Sequence, residues 1–153
     1  MPLYGNFCAA LQNAARASIR SVSVPATKDN LAMANILLHQ GFIYNVTRGT
    51  LAGPSPSDWL KAGLPDRRLW IDLKYRADER PVLEQLTVVS KPSRKLLMDS
   101  SELLRLATGR RAKFVKPLVL GEIGLVNCGK AGWFEVKDAI RRGLGGEVVA
   151  RAS

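Results

Sequence analysis

GLVNCGKA, residues 124–131, admits two readings, and the choice between them decides the fold. Gly124, four intervening residues, Gly129 and Lys130 reproduce the opening of a phosphate-binding loop, G-x-x-x-x-G-K-[ST]. Such a loop needs a Ser or Thr hydroxyl on Mg²⁺ after the lysine, and Ala131 has none. It should also open a helix whose N-terminus faces the phosphates, whereas Gly132 and Trp133 follow here and both start a helix poorly. Too little chain follows Ala131 to build the βα units of a nucleotide fold. The alternative is a tight turn between two strands, and it is preferred.

Working outward from that turn, the sequence reads as alternating helices and strands. On the C-terminal side a helix is expected from Phe134 to Arg142, stopped by Gly143, and EVVARA closes a sheet. On the N-terminal side LVLGEIGLVN reads as a strand and GRRAKFVKP as a basic connector. SSELLRLA reads as a short helix capped by Asp99 or Ser100, and VLEQLTVVS as a strand ended at SKP. Further back, LWIDLKY places Leu69, Ile71, Leu73 and Tyr75 on one face, and FIYNVTRGT is its partner strand. The Gly-, Pro- and Ser-rich segment 49–68 between them reads as an enlarged hairpin loop, with Trp59 and Leu60 expected to dock it. A helix capped by Thr27 ends at Gly41, SVSVP is a short strand, and Leu3, Phe7, Leu11, Ala14, Ala15 and Ile19 mark a first amphipathic helix. The expected fold class is α+β in two small lobes. Residues 1–80 form an N-terminal α-β-α-β-β lobe, and residues 81–153 a β-rich lobe with short helices.

A chain of 153 residues can bury roughly 70% of its unfolded surface, so it needs neither disulfides nor metal as staples. No apolar run approaches the ~20 residues of a membrane span. Lys and Arg number 23 against 13 Asp and Glu, a net charge of +10. Both halves are basic: +4 over residues 1–80 and +6 over 81–153, from 10 − 6 and 13 − 7. Charge spread along the whole molecule suits a polyanion, and nucleic acid or an anionic membrane is favoured over a merely solubilising surface.

Enzyme chemistry finds no constellation. Cys8 and Cys128 form no CxxC, and His39 is the single histidine, so no metal site, cofactor or small-molecule substrate is expected. Cys128 and His39 could in principle be nucleophile and base, but His39 is expected to face solvent near a helix C-terminus. Residues 1–28 hold Arg16, Arg20 and Lys28 and no acid, the composition of a mitochondrial targeting helix. The same stretch serves equally as a basic first helix of the folded domain, and both roles can coexist.

Four segments, in order, resemble the eighth small-subunit ribosomal protein, the universal S-eight family. They are NFCAALQNAARA (6–17), VSVPATK with NILLHQGFI (22–28 and 35–43), VVSKP (88–92) and GLGGEVV (143–149). The resemblance covers nearly the whole chain. It implies a structural, non-enzymatic constituent of the small ribosomal subunit whose second lobe grips small-subunit rRNA, with neighbouring ribosomal proteins as further partners. A Ser-Thr-Ser-Lys-Gly turn and the glutamate of Gly-Gly-Glu lie at the RNA in that family. The matching positions are Asn127, Cys128, Gly129, Lys130 and Glu147. Ser90, Lys91 and Arg94 around VVSKP, Lys28 after VSVPAT, and Asn13, Arg16 and Arg20 on the first helix complete the residues so implied. Cys128 and Gly129 depart from the family's hydroxyls, which shifts weight to backbone and shape. Together with the long segments 49–68 and 109–117 and the acid-free N-terminus, these departures resemble a mitochondrial form, fungal in kind, acting in the matrix. The rivals are a free-standing RNA-binding regulator and, more remotely, a nucleotide hydrolase using Lys130.

Overall fold

The computed structural model describes residues 3–153, with side chains from Tyr4 onward. Met1 and Pro2, the start of the acid-free stretch, lie outside the described residues. The chain divides into two units, the first ending at Glu84 and the second spanning Gln85–Ser153. The division falls after Glu84 rather than Arg80 because Val82 still donates to Lys74 O at 2.9 Å and Pro81 bridges Tyr75.

The first unit runs α1 (Leu3–Arg16), β1 (Ser21–Pro25), α2 (Lys28–His39), β2 (Ile43–Thr50), α3 (Pro56–Lys61) and β3 (Arg67–Leu73). Its antiparallel sheet has the order β1-β3-β2, so the last strand inserts between the first two. Leu69, Ile71 and Leu73 of β3 are buried, as their period of two requires. Phe7, Leu11, Ala14 and Ala15 of α1 and Met33, Ala34 and Leu37 of α2 are also buried, with Cys8 among them. Burial pushes the Cys8 thiol up to about 12, which makes it a packing group and not a nucleophile. Thr27 caps α2 by accepting from the Asn30 N–H at 3.1 Å, and Gly41 follows the helix at φ +80°. Helix α1 stops at Arg16, short of Ile19, because Ser18 turns into the left-handed region at φ +56°. Segment 49–68 is partly helical. Trp59 docks it between the guanidinium groups of Arg48 and Arg67, 4.7 and 4.2 Å from its ring centroid, whereas Leu60 points to solvent.

The second unit runs β4 (Leu86–Val88), β5 (Leu97–Met98), α4 (Ser100–Ala107), β6 (Ile123–Asn127), β7 (Trp133–Glu135), α5 (Val136–Arg141) and β8 (Gly146–Ala152). Strand β8 is central, pairing antiparallel with β4, β5 and β6, and β6 carries β7 on its other edge. Asp99 and Glu102 form a reciprocal capping box at the start of α4. Leu103 and Leu106 of α4 and Val136 and Ala139 of α5 join Val126 and Val148 of the sheet in one buried cluster.

Three sequence expectations change here. Phe134 and Glu135 belong with Trp133 to strand β7 and not to the following helix, because each pairs with β6. Leu118–Gly121 is a loop rather than the start of β6; Glu122 N–H turns back to Val119 O at 3.1 Å, and Leu120 is fully exposed. Strand β5, two residues long, carries no detectable periodicity and was not expected. Among the described residues no helix is long and apolar enough to cross a membrane.

Candidate nucleic-acid interface

GLVNCGKA forms the end of β6 and a tight turn into β7. Gly129–Ala131 makes one 3₁₀ turn, Cys128 N–H donates to Gly132 O at 2.8 Å, and Gly132 N–H to Gly129 O at 3.1 Å. Gly129 and Gly132 sit at φ +66° and +103°, conformations that favour glycine. A strand follows the turn, not a helix, so no helix N-terminus faces Lys130 and the phosphate-loop alternative is excluded.

The register then assembles a row across the sheet. Glu147 of β8 stands opposite Asn127 of β6 on one side and Leu97 of β5 on the other, and Asn127 stands opposite Trp133 of β7. Directly paired residues project to the same face, so Leu97, Glu147, Asn127 and Trp133 share one face. Their sequence neighbours Val126, Phe134 and Val148 pack into the buried cluster against the helices. Trp133 therefore shares the face of Asn127 and Glu147. The clue was present: a Gly turn followed by an aromatic pair of which only one can face inward.

Each polar member of the row is held in place. Asn127 Oδ1 accepts from Gly129 N–H at 3.0 Å, which fixes the orientation of the side chain on the turn. Glu147 accepts from Ser90 Oγ at 2.5 Å, and Ser90 Oγ in turn accepts from Leu96 N–H at 3.1 Å. Ser90 is wholly buried, which corrects the expectation that it meets a ligand itself; it orients Glu147. Ser90→Ala is expected to cost about 1–3 kcal/mol, because the buried Leu96 N–H loses its acceptor. Urea denaturation measures this, and an unchanged midpoint would remove Ser90 from the support of Glu147.

Cys128 is corrected as well. Its side chain packs against the buried cluster, and burial pushes its thiol above the ordinary value. A thiol packed and shifted in this way is a poor group for base contact or nucleophilic attack. Lys130 is exposed at the apex of the turn. Lys91 and Arg94 close a second tight turn through hydrogen bonds of 3.3 and 2.9 Å between their backbones. The Arg94 guanidinium lies 3.8 Å over the ring of Phe114, an exposed aromatic of the connector that sequence reasoning passed over. Lys113 is less available than the connector's charge suggests, since it pairs with Glu102 at 3.6 Å and donates to Leu97 O.

Asn127, Gly129, Lys130, Glu147, Lys91 and Arg94 thus lie in one unit, four of them at one end of its sheet. Asn13 and Arg16 on α1, Arg20 just beyond it and Lys28 at the first turn of α2 are exposed residues of the other unit. Residues 3–152 match the family described as Ribosomal protein S8. The chain belongs to the ribosomal protein S8 family.

As an S8-family member the protein is a structural component of a ribosome and not an enzyme. It is 41% identical to the small ribosomal subunit protein uS8m of Schizosaccharomyces pombe over 92% of this chain and 93% of that one. Against uS8m of Neurospora crassa the identity is 41%, with 95% and 94% of the two chains covered. A bacterial relative, uS8 of Salinibacter ruber, is 33% identical over 95% of this chain and 92% of its own. Within the S8 frame the α+β reading of the sequence and its two antiparallel sheets agree.

Proposed function

We propose that the second unit holds small-subunit rRNA on the face formed by Asn127, Glu147 and the Lys130 turn. The chain acts in the mitochondrial small ribosomal subunit, in the matrix, as its family and its fungal uS8m relatives indicate. One observation supports the location of the grip: Asn127 and Glu147 are direct register partners at the strand end that carries the turn. Lys130 neutralises a phosphate, the Nδ2 of Asn127 and the Lys130 amide reach base edges or 2′-hydroxyls, and Glu147 accepts from a base or ribose donor. Because these groups are fixed before binding, little ordering entropy is lost on association. Lys91 and Arg94 add phosphate contacts. Asn13, Arg16, Arg20 and Lys28 serve a separate rRNA or neighbouring-protein contact made by the first unit.

Lys130→Ala tests the turn directly. Losing one phosphate contact should reduce the slope of log K against log salt by roughly 0.7–0.9. An unchanged slope with small-subunit rRNA would remove Lys130 from the interface. Sedimentation of mitochondrial lysate in Mg²⁺-containing gradients separates a ribosomal constituent, recovered in the small-subunit peak, from a free regulator at the top of the gradient.

A further inference from the structure

The first unit contains a cleft that the S8 resemblance does not assign. Its volume is about 590 Å³, and it opens at the end of the three-stranded sheet where the central strand β3 leaves. Arg20 flanks that end on one side, its carbonyl accepting from Leu73 N–H at 2.7 Å. Tyr44 flanks it on the other, since its neighbour Ile43 is the partner of Leu73. Lys74, Tyr75 and Arg76 form the floor.

Three features mark the cleft as built for a ligand. The register of β2 against β3 slips between Ile43 and Asn45, which makes Tyr44 the extra residue of a β-bulge. Bulges redirect a side chain out of the ladder. Here the redirected group is an aromatic ring left 72% exposed. Second, Arg20, Lys74 and Arg76 line the cleft with Glu79 as the single carboxylate among its lining residues, and Arg76 shares Glu84 at a loose 3.8 Å. Third, two lining residues, Ser18 and Glu79, hold φ of +56° and +64° although neither is glycine. Unfavourable backbone of this kind persists where the surroundings impose it, and it collects at binding sites. The Tyr75 hydroxyl donates to Ile19 O at 2.6 Å and locks the wall that Ser18 begins.

We propose that this cleft binds an unpaired nucleotide of RNA, with the base stacked on Tyr44 and the flanking phosphates held by Arg20 and Lys74. An exposed ring beside a group of cations is the pattern of single-strand recognition, in which any base can stack and charge tracks the backbone. An acidic peptide would satisfy the cations but would have no use for an out-turned aromatic ring. The inference rests on the RNA-binding reading above, and it assigns the first unit a single-stranded contact distinct from the Lys130 turn.

The test uses the full chain and a fluorescein-labelled single-stranded octauridylate, followed by anisotropy. Tyr44→Ala should bind the probe roughly five- to a hundredfold more weakly, the range of one base stack, while Tyr44→Phe keeps wild-type affinity. Arg20→Gln should lower the salt slope of octauridylate binding by about 0.7, and Lys130→Ala should weaken probe binding less than Tyr44→Ala does. Tyr44 is exposed, so its replacement should not disturb folding, and thermal melting verifies this. Equal binding by wild type and Tyr44→Ala overturns the proposal. So does loss of probe binding in Lys130→Ala alone, or displacement of the probe by polyglutamate that is indifferent to Tyr44→Ala. Failure of the wild type to bind small-subunit rRNA at all would instead overturn the RNA-binding reading.

Discussion

Arg151→Met should destabilise the second unit by about 3 kcal/mol, the low end of the cost of stripping one partner from a buried ion pair, because this pair is partly buried. Arg151 lies on β8, and its guanidinium donates to both carboxylate oxygens of Glu122 at 2.9 and 2.6 Å. It also donates to Lys116 O at 2.8 Å and Pro117 O at 3.0 Å, so one side chain closes the whole loop 116–122. The two side chains are only 17% and 13% exposed, which removes the solvent screening that makes surface pairs nearly worthless. Burial by itself would raise the Glu122 carboxyl. The Arg151 hydrogen bonds, the Val119 N–H and the Arg151 charge outweigh it and bring the group below its ordinary 4.5.

A carboxyl depressed in the folded state adds stability above its unfolded pKa. That stability is lost as pH falls through the folded value, so the contribution disappears in the acid range below about 4.5. In Arg151→Met only the Val119 N–H still opposes burial, so the depression should weaken, and the variant should lose less stability than the wild type as pH drops. Urea denaturation at pH 7 and pH 4 measures both effects. Glu122→Leu with Arg151→Met should recover most of the loss, since apolar groups replace a buried pair without leaving a stranded charge. A single-variant cost under 1 kcal/mol at pH 7 would show that the pair does not hold the loop.

Gly146→Ala is the second large effect expected. A Cβ at this position would lie 2.9 Å from the Asn127 carbonyl carbon and 2.9 Å from Cys128 Cα, and nearer still to Asn127 O. Those atoms are backbone and cannot rotate away as a side chain would. Strand β8 must separate from β6 at the point where Glu147 faces Asn127. A cost of about 3 kcal/mol, the upper end for overpacking, corresponds to a melting temperature lower by roughly 6–12 °C. Small-subunit rRNA binding should fall beyond what unfolding explains. Gly143→Ala supplies the comparison: nothing lies within 4 Å of its added Cβ, and only the φ of +66° opposes it, at roughly 1–2 kcal/mol. Melting within 2 °C of wild type for Gly146→Ala would mean that the two strands yield there.

These two residues show where sequence reading reaches its limit. Arg151 counts in the composition as one more surface cation for a polyanion, yet its charge is spent internally on Glu122. The Gly145–Gly146 pair, with Gly143, reads as a sharp helix-to-strand turn. Neither has positive φ, and both are required by close backbone approach, to Met98 and Asp99 for Gly145 and to Asn127 and Cys128 for Gly146.

The sequence by itself determined the features written within four or five residues. The caps at Thr27 and Asp99, the stops at Gly41 and Gly109, the alternation of Leu69, Ile71 and Leu73 and the turn at Gly129 all follow from local dihedral and hydrogen-bond requirements. Family membership was legible for a related reason: NFCAALQNAARA, VVSKP and GLGGEVV are short contiguous strings. Only the tertiary structure decided which residues face each other. Two-residue β5 is a strand because β8 pairs with it, and Trp133 joins Asn127 and Glu147 because β7 adds to β6. Ser90 supports Glu147 across 57 residues of chain. Tyr44 turns outward because β2 carries one residue more than β3 can pair. Register is a relation between distant segments, and its free energy arises only when both are present.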